Sequence, residues 1–119
     1  MTLNLIRTLA AGALALMALA AAPSVAAAQN ADLTKRGAQV YEAQKCGVCH
    51  AIAGKGGKAS PLDGVGAKLS DADLRRWITH PAEMTAKTKS TKKPPMPEKW
   101  GKLPAADVDA LVAYLQSLK

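Results

Sequence analysis

Phenylalanine is absent from the 119 residues, and only two tryptophans and two tyrosines stand in its place. Aromatic side chains carry much of the buried area of a small core, so this chain must fill its interior by other means. Cysteine is almost as scarce. Two residues permit one disulfide at most, which excludes a cross-linked scaffold of the kind that holds many small secreted domains together. Acidic residues number nine against sixteen lysines and arginines, a formal charge of +7. No segment alternates apolar and polar residues as a half-buried strand would, and no internal repeat occurs.

What is present begins with a basic amino terminus. Arg7 is followed by a run from Thr8 to Ala31 without one charged side chain. Leu9 to Leu19 forms the apolar centre of a secretory leader, Pro23 breaks it, and Ala26-Ala27-Ala28 offers the small residues a signal peptidase needs. Residues 1–28 are therefore expected to be a signal peptide cleaved before Gln29, with Ser24-Val25-Ala26 as a second acceptable site. The competing reading is an uncleaved anchor, because the uncharged run is long enough to cross a bilayer. Its alanine content and early proline weigh against that. Residues 29–119 then make one small domain, too short to bury apolar surface comfortably without a staple.

The staple is indicated by Cys46-Gly47-Val48-Cys49-His50. Cys-x-x-Cys-His is the attachment signature of a c-type haem. Two thiols at this spacing can add across the two vinyl groups of one macrocycle, and the next imidazole can bind the iron. A redox disulfide of the thioredoxin type lacks its βαβ surroundings here. A zinc site would need about four ligands, and His80 is the sole further Cys or His in the chain. A plain disulfide would leave His50 an accident. Export agrees with haem, which is joined to such motifs outside the bacterial cytoplasm. With the porphyrin as its missing core, the apoprotein is expected to be largely unfolded or molten.

Helical periodicity dominates the rest. Leu33, Gly37, Val40, Tyr41 and Gln44 share one face of a helix opened by Asp32 or Thr34. Gly37 costs that helix about 1 kcal/mol relative to alanine and is read as permitting close packing. Ser70-Asp71-Ala72-Asp73 caps a helix through Leu74, Trp77 and Ile78, which His80-Pro81 stops. Val108, Leu111, Val112, Leu115 and Leu118 mark a terminal helix with Pro104 in its first turn. Gly54 to Lys58 is expected to be a flexible loop. Thr85 to Lys102 is expected to be a long proline-rich excursion, which in so small a domain usually has a function.

These motifs, in this order, resemble the class I c-type cytochromes, small bacterial monohaem electron carriers. The resemblance runs over nearly all of 32–119. It implies an all-α, cytochrome c-like fold of about three main helices and loops wrapped around one covalently bound haem. Gly37 with Tyr41 resembles the glycine and aromatic of the family's first helix, and Leu111 with Tyr114 resembles their partners on the last. Ser60-Pro61-Leu62-Asp63-Gly64 is similar to the family's Pro-x-Leu-x-Gly loop, with Ser60 where proline is usual. The family uses the carbonyl at that position to accept the N–H of the haem histidine. A tryptophan on the third helix, here Trp77, can donate to a haem propionate, whereas Trp100 is read as packing.

The second axial ligand must come from Met84, Met96, His80 or nothing. Met96 lies in Pro94-Pro95-Met96-Pro97, where prolines lower the entropy lost in holding sulfur on iron, and it matches the family's Met-Pro loop. Met84 suits a core gap-filler, and His80 a surface or capping residue. The expected set is therefore Cys46 and Cys49 as tethers with His50 and Met96 on the iron. A thioether ligand raises the reduction potential.

Sixteen basic residues less Arg7 leave fifteen against nine acids, a formal +6 once the leader is gone. Lys87, Lys89, Lys92, Lys93, Lys99 and Lys102 crowd the Met96 segment against Glu98 alone. A solvated loop is one reading. The other is a ring around the exposed haem edge that steers redox proteins with acidic docking faces. An exported chain without interleaved aromatics is not read as a nucleic-acid binder. The expected function is a periplasmic shuttle of single electrons. It is not an enzyme and takes no small-molecule substrate, since both axial positions are filled. A haem subunit docked permanently in a dehydrogenase or oxidase complex is the alternative.

Overall fold

The computed structural model describes residues 24–119. The expected leader therefore lies outside the described residues except for its last five, 24–28. Ser24 caps and 25–28 begin the first helix, α1 (Val25–Ala43), which starts seven residues before Asp32, the earlier of the two expected openings. Ser24 caps it by accepting the Ala27 N–H on its hydroxyl at 3.3 Å. Alanine has the highest helix propensity, and the alanines at 26–28 and 31 extend the helix without help from packing, for every residue from 24 to 33 is exposed. Leu33, expected on the apolar face, is 40% exposed. Burial begins at Gly37 and continues through Val40 and Tyr41.

At Gly37 the first helix meets the last, α5 (Ala105–Ser117). A Cβ there would stand 2.0 Å from the Ala110 carbonyl oxygen and 2.6 Å from the Tyr114 Cβ. Only glycine allows that approach. One turn on, Tyr41 meets Tyr114 edge-on, with ring centroids 5.6 Å apart. Val108, Leu111, Val112 and Leu115 of α5 are buried as the periodicity requires. Pro104 stands at the N-cap, one residue before the helix, rather than in its first turn.

Four elements not expected from the sequence join them. Pro81 does more than stop α3 (Asp71–Thr79): it opens α4 (Pro81–Thr88), because proline at the first helical position loses no hydrogen bond. The long loop thus starts at Lys89, and its far end closes into a 3₁₀ turn, Glu98–Lys102. The stretch expected to be a flexible glycine loop is instead a minimal hairpin, β1 (Ala51–Ile52) against β2 (Lys55–Gly56), antiparallel with Ala51 opposite Gly56. A further short helix, α2 (Val65–Lys68), follows Gly64, whose φ of 72° suits glycine. The fold is all-α in character, with five α-helices among the described residues where about three main ones were expected.

Charges are sorted by type. Arg36 of α1 pairs with Asp107 of α5 at 2.8 Å, Arg75 of α3 with Asp109 of α5 at 2.7 Å, and Arg76 with Glu83 of α4. Exposed pairs like these contribute about 0–1 kcal/mol each, so they orient the helices more than they hold them. None of the ion pairs among the described residues uses a lysine. The carboxy-terminal end clasps α2: Gly66 N–H donates to Leu118 O at 2.8 Å, and Lys119 Nζ donates to Gly66 O at 2.9 Å.

Candidate cofactor site

The Cys-x-x-Cys-His segment follows directly from the end of α1. Lys45 takes a left-handed conformation (φ 56°) that ends the helix direction, and Cys46–Val48 close a 3₁₀ turn. The N–H groups of Cys49 and His50 both donate to Cys46 O, at 3.2 and 3.0 Å. The hairpin supports this turn from behind. Gly57 N–H donates to Gly47 O at 2.8 Å, and a Cβ on Gly57 would stand 2.2 Å from Val48 O.

His50 Nδ1 lies 2.8 Å from the carbonyl oxygen of Ser60. A carbonyl can only accept, so Nδ1 carries the proton and Nε2 keeps its lone pair. The ring is thereby oriented and made a better electron-pair donor. The loop supplying the carbonyl is itself anchored, by Leu62 N–H donating to Ala51 O at 2.8 Å.

Cys46, Cys49, His50 and Met96 all line one cleft of about 700 Å³, a size within the ~300–1,000 Å³ usual for cofactor and ligand sites. Its walls are largely apolar, with Leu74, Ile78, Leu111, Leu115, Trp77 and Trp100 among the lining residues. Both cysteines are free thiols. Burial pushes the Cys46 thiol up, and nearby Lys99 works against that. Among the described residues no three His, Cys, Asp or Glu side chains gather to hold a metal ion by themselves. The donor set therefore suits a large apolar group that brings its own metal and offers bonds to two thiols, one imidazole and one thioether.

The other two axial candidates lie elsewhere. Met84 is 2% exposed in the core and does not line the cleft. His80 is exposed, with Nδ1 2.8 Å from the Thr79 hydroxyl, and is also off the cleft.

Three features were not legible beforehand. The Trp100 indole N–H, read from the sequence as packing alone, is buried without a hydrogen-bond partner, a state that costs about 1–3 kcal/mol and suits a neighbour bearing acceptors. The Tyr41 hydroxyl donates to the His50 carbonyl oxygen at 3.2 Å, and burial, then the adjacent Cys46, pushes its pKa up to about 12. Of the six lysines around Met96, Lys92, Lys93 and Lys99 line the cleft, joined by Lys45 and Lys68. Beside them the rim is apolar and exposed, with Val48 at 73% and Pro61, Pro94 and Pro95 also open to solvent. A separate groove of about 640 Å³ between α1, α3 and α5 holds no thiol, imidazole or thioether.

Comparison with known proteins agrees with this geometry. The family model described as Cytochrome c matches residues 34–119. The chain is 32% identical over 96 residues to a cytochrome c oxidase subunit 2 of Alkalihalophilus pseudofirmus, an alignment covering 73% of this chain and 26% of that protein. The chain thus spans about a quarter of the length of the curated relative it matches. No solved structure matches at a significant level.

Proposed function

The chain belongs to the cytochrome c family, and from that premise we propose that it is an exported carrier of single electrons with one haem c, tethered by Cys46 and Cys49 and ligated by His50 and Met96. As a cytochrome c domain it is an electron carrier built on covalently bound haem c. The observation that carries the ligand reading is the convergence of both thiols, the imidazole and Met96 on one apolar cleft, with Met84 and His80 elsewhere.

A haem held there supplies one-electron exchange between ferrous and ferric iron. The residues do the rest. Cys46 and Cys49 would hold the group through thioether bonds to its two vinyl groups, a tether that would survive unfolding. The Ser60 carbonyl holds His50 in the tautomer whose Nε2 can ligate. Prolines on both sides of Met96 limit the freedom of its segment, and a soft thioether favours the ferrous state. His50 and Met96 would together hold the iron, which would leave no ligand place for a substrate.

Lysines at the cleft rim, which form no ion pair among the described residues, attract acidic faces of redox partners, while the exposed Val48 and prolines give a dry contact at closest approach. The periplasm is the proposed location, on the strength of the leader sequence in residues 1–28. Among the described residues no helix is long and apolar enough to cross a membrane. A second reading is a haem domain docked in a larger oxidase, and the length of the matched oxidase subunit favours it, since the similar stretch is a minor part of that chain.

Purification from the periplasmic fraction tests this. Haem that stays with the denatured polypeptide at one per chain, together with the red-region charge-transfer band of sulfur-ligated ferric haem, is the expected result. Absence of covalent haem overturns the function. A native mass of a large complex selects the docked reading.

A further inference from the structure

His50 is held at two ends, and the second hold comes from a residue not assigned to the haem. Its ring nitrogen donates to Ser60 O at 2.8 Å, while its own carbonyl oxygen accepts from the Tyr41 hydroxyl at 3.2 Å. That oxygen is closed in on the other side. A Cβ on Gly56 would stand 2.3 Å from it, so the hairpin backbone approaches this oxygen more closely than any residue but glycine allows. The peptide next along is fixed as well, by Leu62 N–H on Ala51 O at 2.8 Å.

Tyr41 is itself well placed to hold something. It is buried on α1, braced edge-on by Tyr114 at 5.6 Å between centroids, and its ring lies 3.8 Å from where a Cβ on Gly47 would stand. The ring edge and hydroxyl of Tyr41 thus lie within van der Waals reach of the attachment turn. A phenylalanine would fill the same space, so packing alone does not call for the hydroxyl. What the hydroxyl adds is a fixed rotation of the peptide that carries the imidazole.

We propose that Tyr41 is a positioning residue for the iron ligand: its hydroxyl, by holding the His50 carbonyl, sets the orientation of the His50 imidazole ring that would ligate the haem through Nε2. The inference rests on His50 being the haem ligand. Imidazole orientation decides which iron d-orbital holds the unpaired electron of the ferric protein. The order of the four haem-methyl proton resonances and the g-values of the ferric protein therefore report it, whereas global stability does not move either one.

The test uses the holoprotein and begins with wild type. If wild type carries no covalent haem, the ligand reading itself fails, and the proposal falls with it for that separate reason. Given a loaded wild type, Tyr41→Phe is expected to shift the g-values and respread the haem-methyl resonances. Tyr114→Phe, which removes a hydroxyl without a hydrogen bond among the described residues from the same aromatic pair, is expected to leave both unchanged. A Tyr41→Phe protein with wild-type methyl order and g-values, merely less stable, overturns the proposal. Should that variant fail to fold, the ferrous wild type decides. A Tyr41 hydroxyl proton that exchanges slowly and shows a through-space contact to His50 supports the proposal, and one exchanging as freely as that of an exposed tyrosine overturns it.

Discussion

The His50 Nδ1 stands 2.8 Å from the carbonyl oxygen of Ser60, so the bond that orients the imidazole is made by a main chain and not by a side chain. The identity of residue 60 is then of little consequence so long as the loop keeps its path. Ser60→Ala is expected to leave the haem spectrum and reduction potential at wild-type values, with stability within about 0.5 kcal/mol of wild type. Spectroelectrochemical titration of the two proteins checks this.

The two methionines of the carboxy-terminal half should separate cleanly. Met96→Ala is expected to abolish the red-region charge-transfer band of the ferric protein and to lower its potential. Met84→Ala should keep the band but lose about 2–5 kcal/mol of stability, because Met84 is 2% exposed in the core. Absorption spectra and denaturant titrations of both variants give the answer, and the opposite pattern would reverse the ligand assignment.

Removing both tethers tests whether the haem is structural. Cys46→Ala with Cys49→Ala should leave no haem on the denatured chain, and soluble yield should collapse because a domain of this size lacks a sufficient core without its filler. A soluble double variant with native helicity by circular dichroism would show that the protein chain folds alone.

Gly37 sets how closely α1 and α5 approach. Gly37→Ala would gain helix propensity worth about 1 kcal/mol, yet its Cβ would stand 2.0 Å from Ala110 O, which is backbone and cannot move aside alone. Overpacking of this kind costs about 1–3 kcal/mol or more. A net loss of stability is expected, read as a lower melting temperature of the holoprotein.

Lysines on the cleft should govern association more than those off it. Lys92→Glu with Lys93→Glu should slow the bimolecular electron-transfer rate with an acidic redox partner and flatten its dependence on salt, since exposed charges are screened over about 8 Å at physiological ionic strength. Lys87→Glu with Lys89→Glu, which change residues off the cleft, should do less. Stopped-flow kinetics at several ionic strengths distinguish the pairs. Equal effects, or none, would place the docking face elsewhere.

Local signals in the sequence were read correctly where one short stretch carries all the information. Ser70 caps α3 through the Asp73 N–H at 3.1 Å as its spacing implied. The stripe on α5 is buried because its period of 3.6 leaves one face for the core. The hairpin at Ala51–Gly56 and the helix at Pro81–Thr88 were missed for a physical reason. Both are too short to show a period, and each depends on its neighbours, the hairpin on Gly57 backing the attachment turn and α4 on burial of Pro81 and Met84.

The early start of α1 shows the opposite case, in which alanine propensity alone extends a helix whose first residues touch no core. Sequence by itself thus determined the chemistry within reach of one turn: the two thiols and imidazole at fixed spacing, the caps, the apolar stripes and the lysine-rich segment around Met96. Tertiary structure decided everything that needs two distant segments. It put Met96 on the cleft and Met84 in the core, set the Ser60 carbonyl against His50, aimed the Tyr41 hydroxyl at the same residue, and left the Trp100 N–H without a partner. The reason is that side-chain type and spacing act locally, whereas which of two methionines reaches the cleft that His50 lines depends on how the helices pack and where the loops between them are pinned.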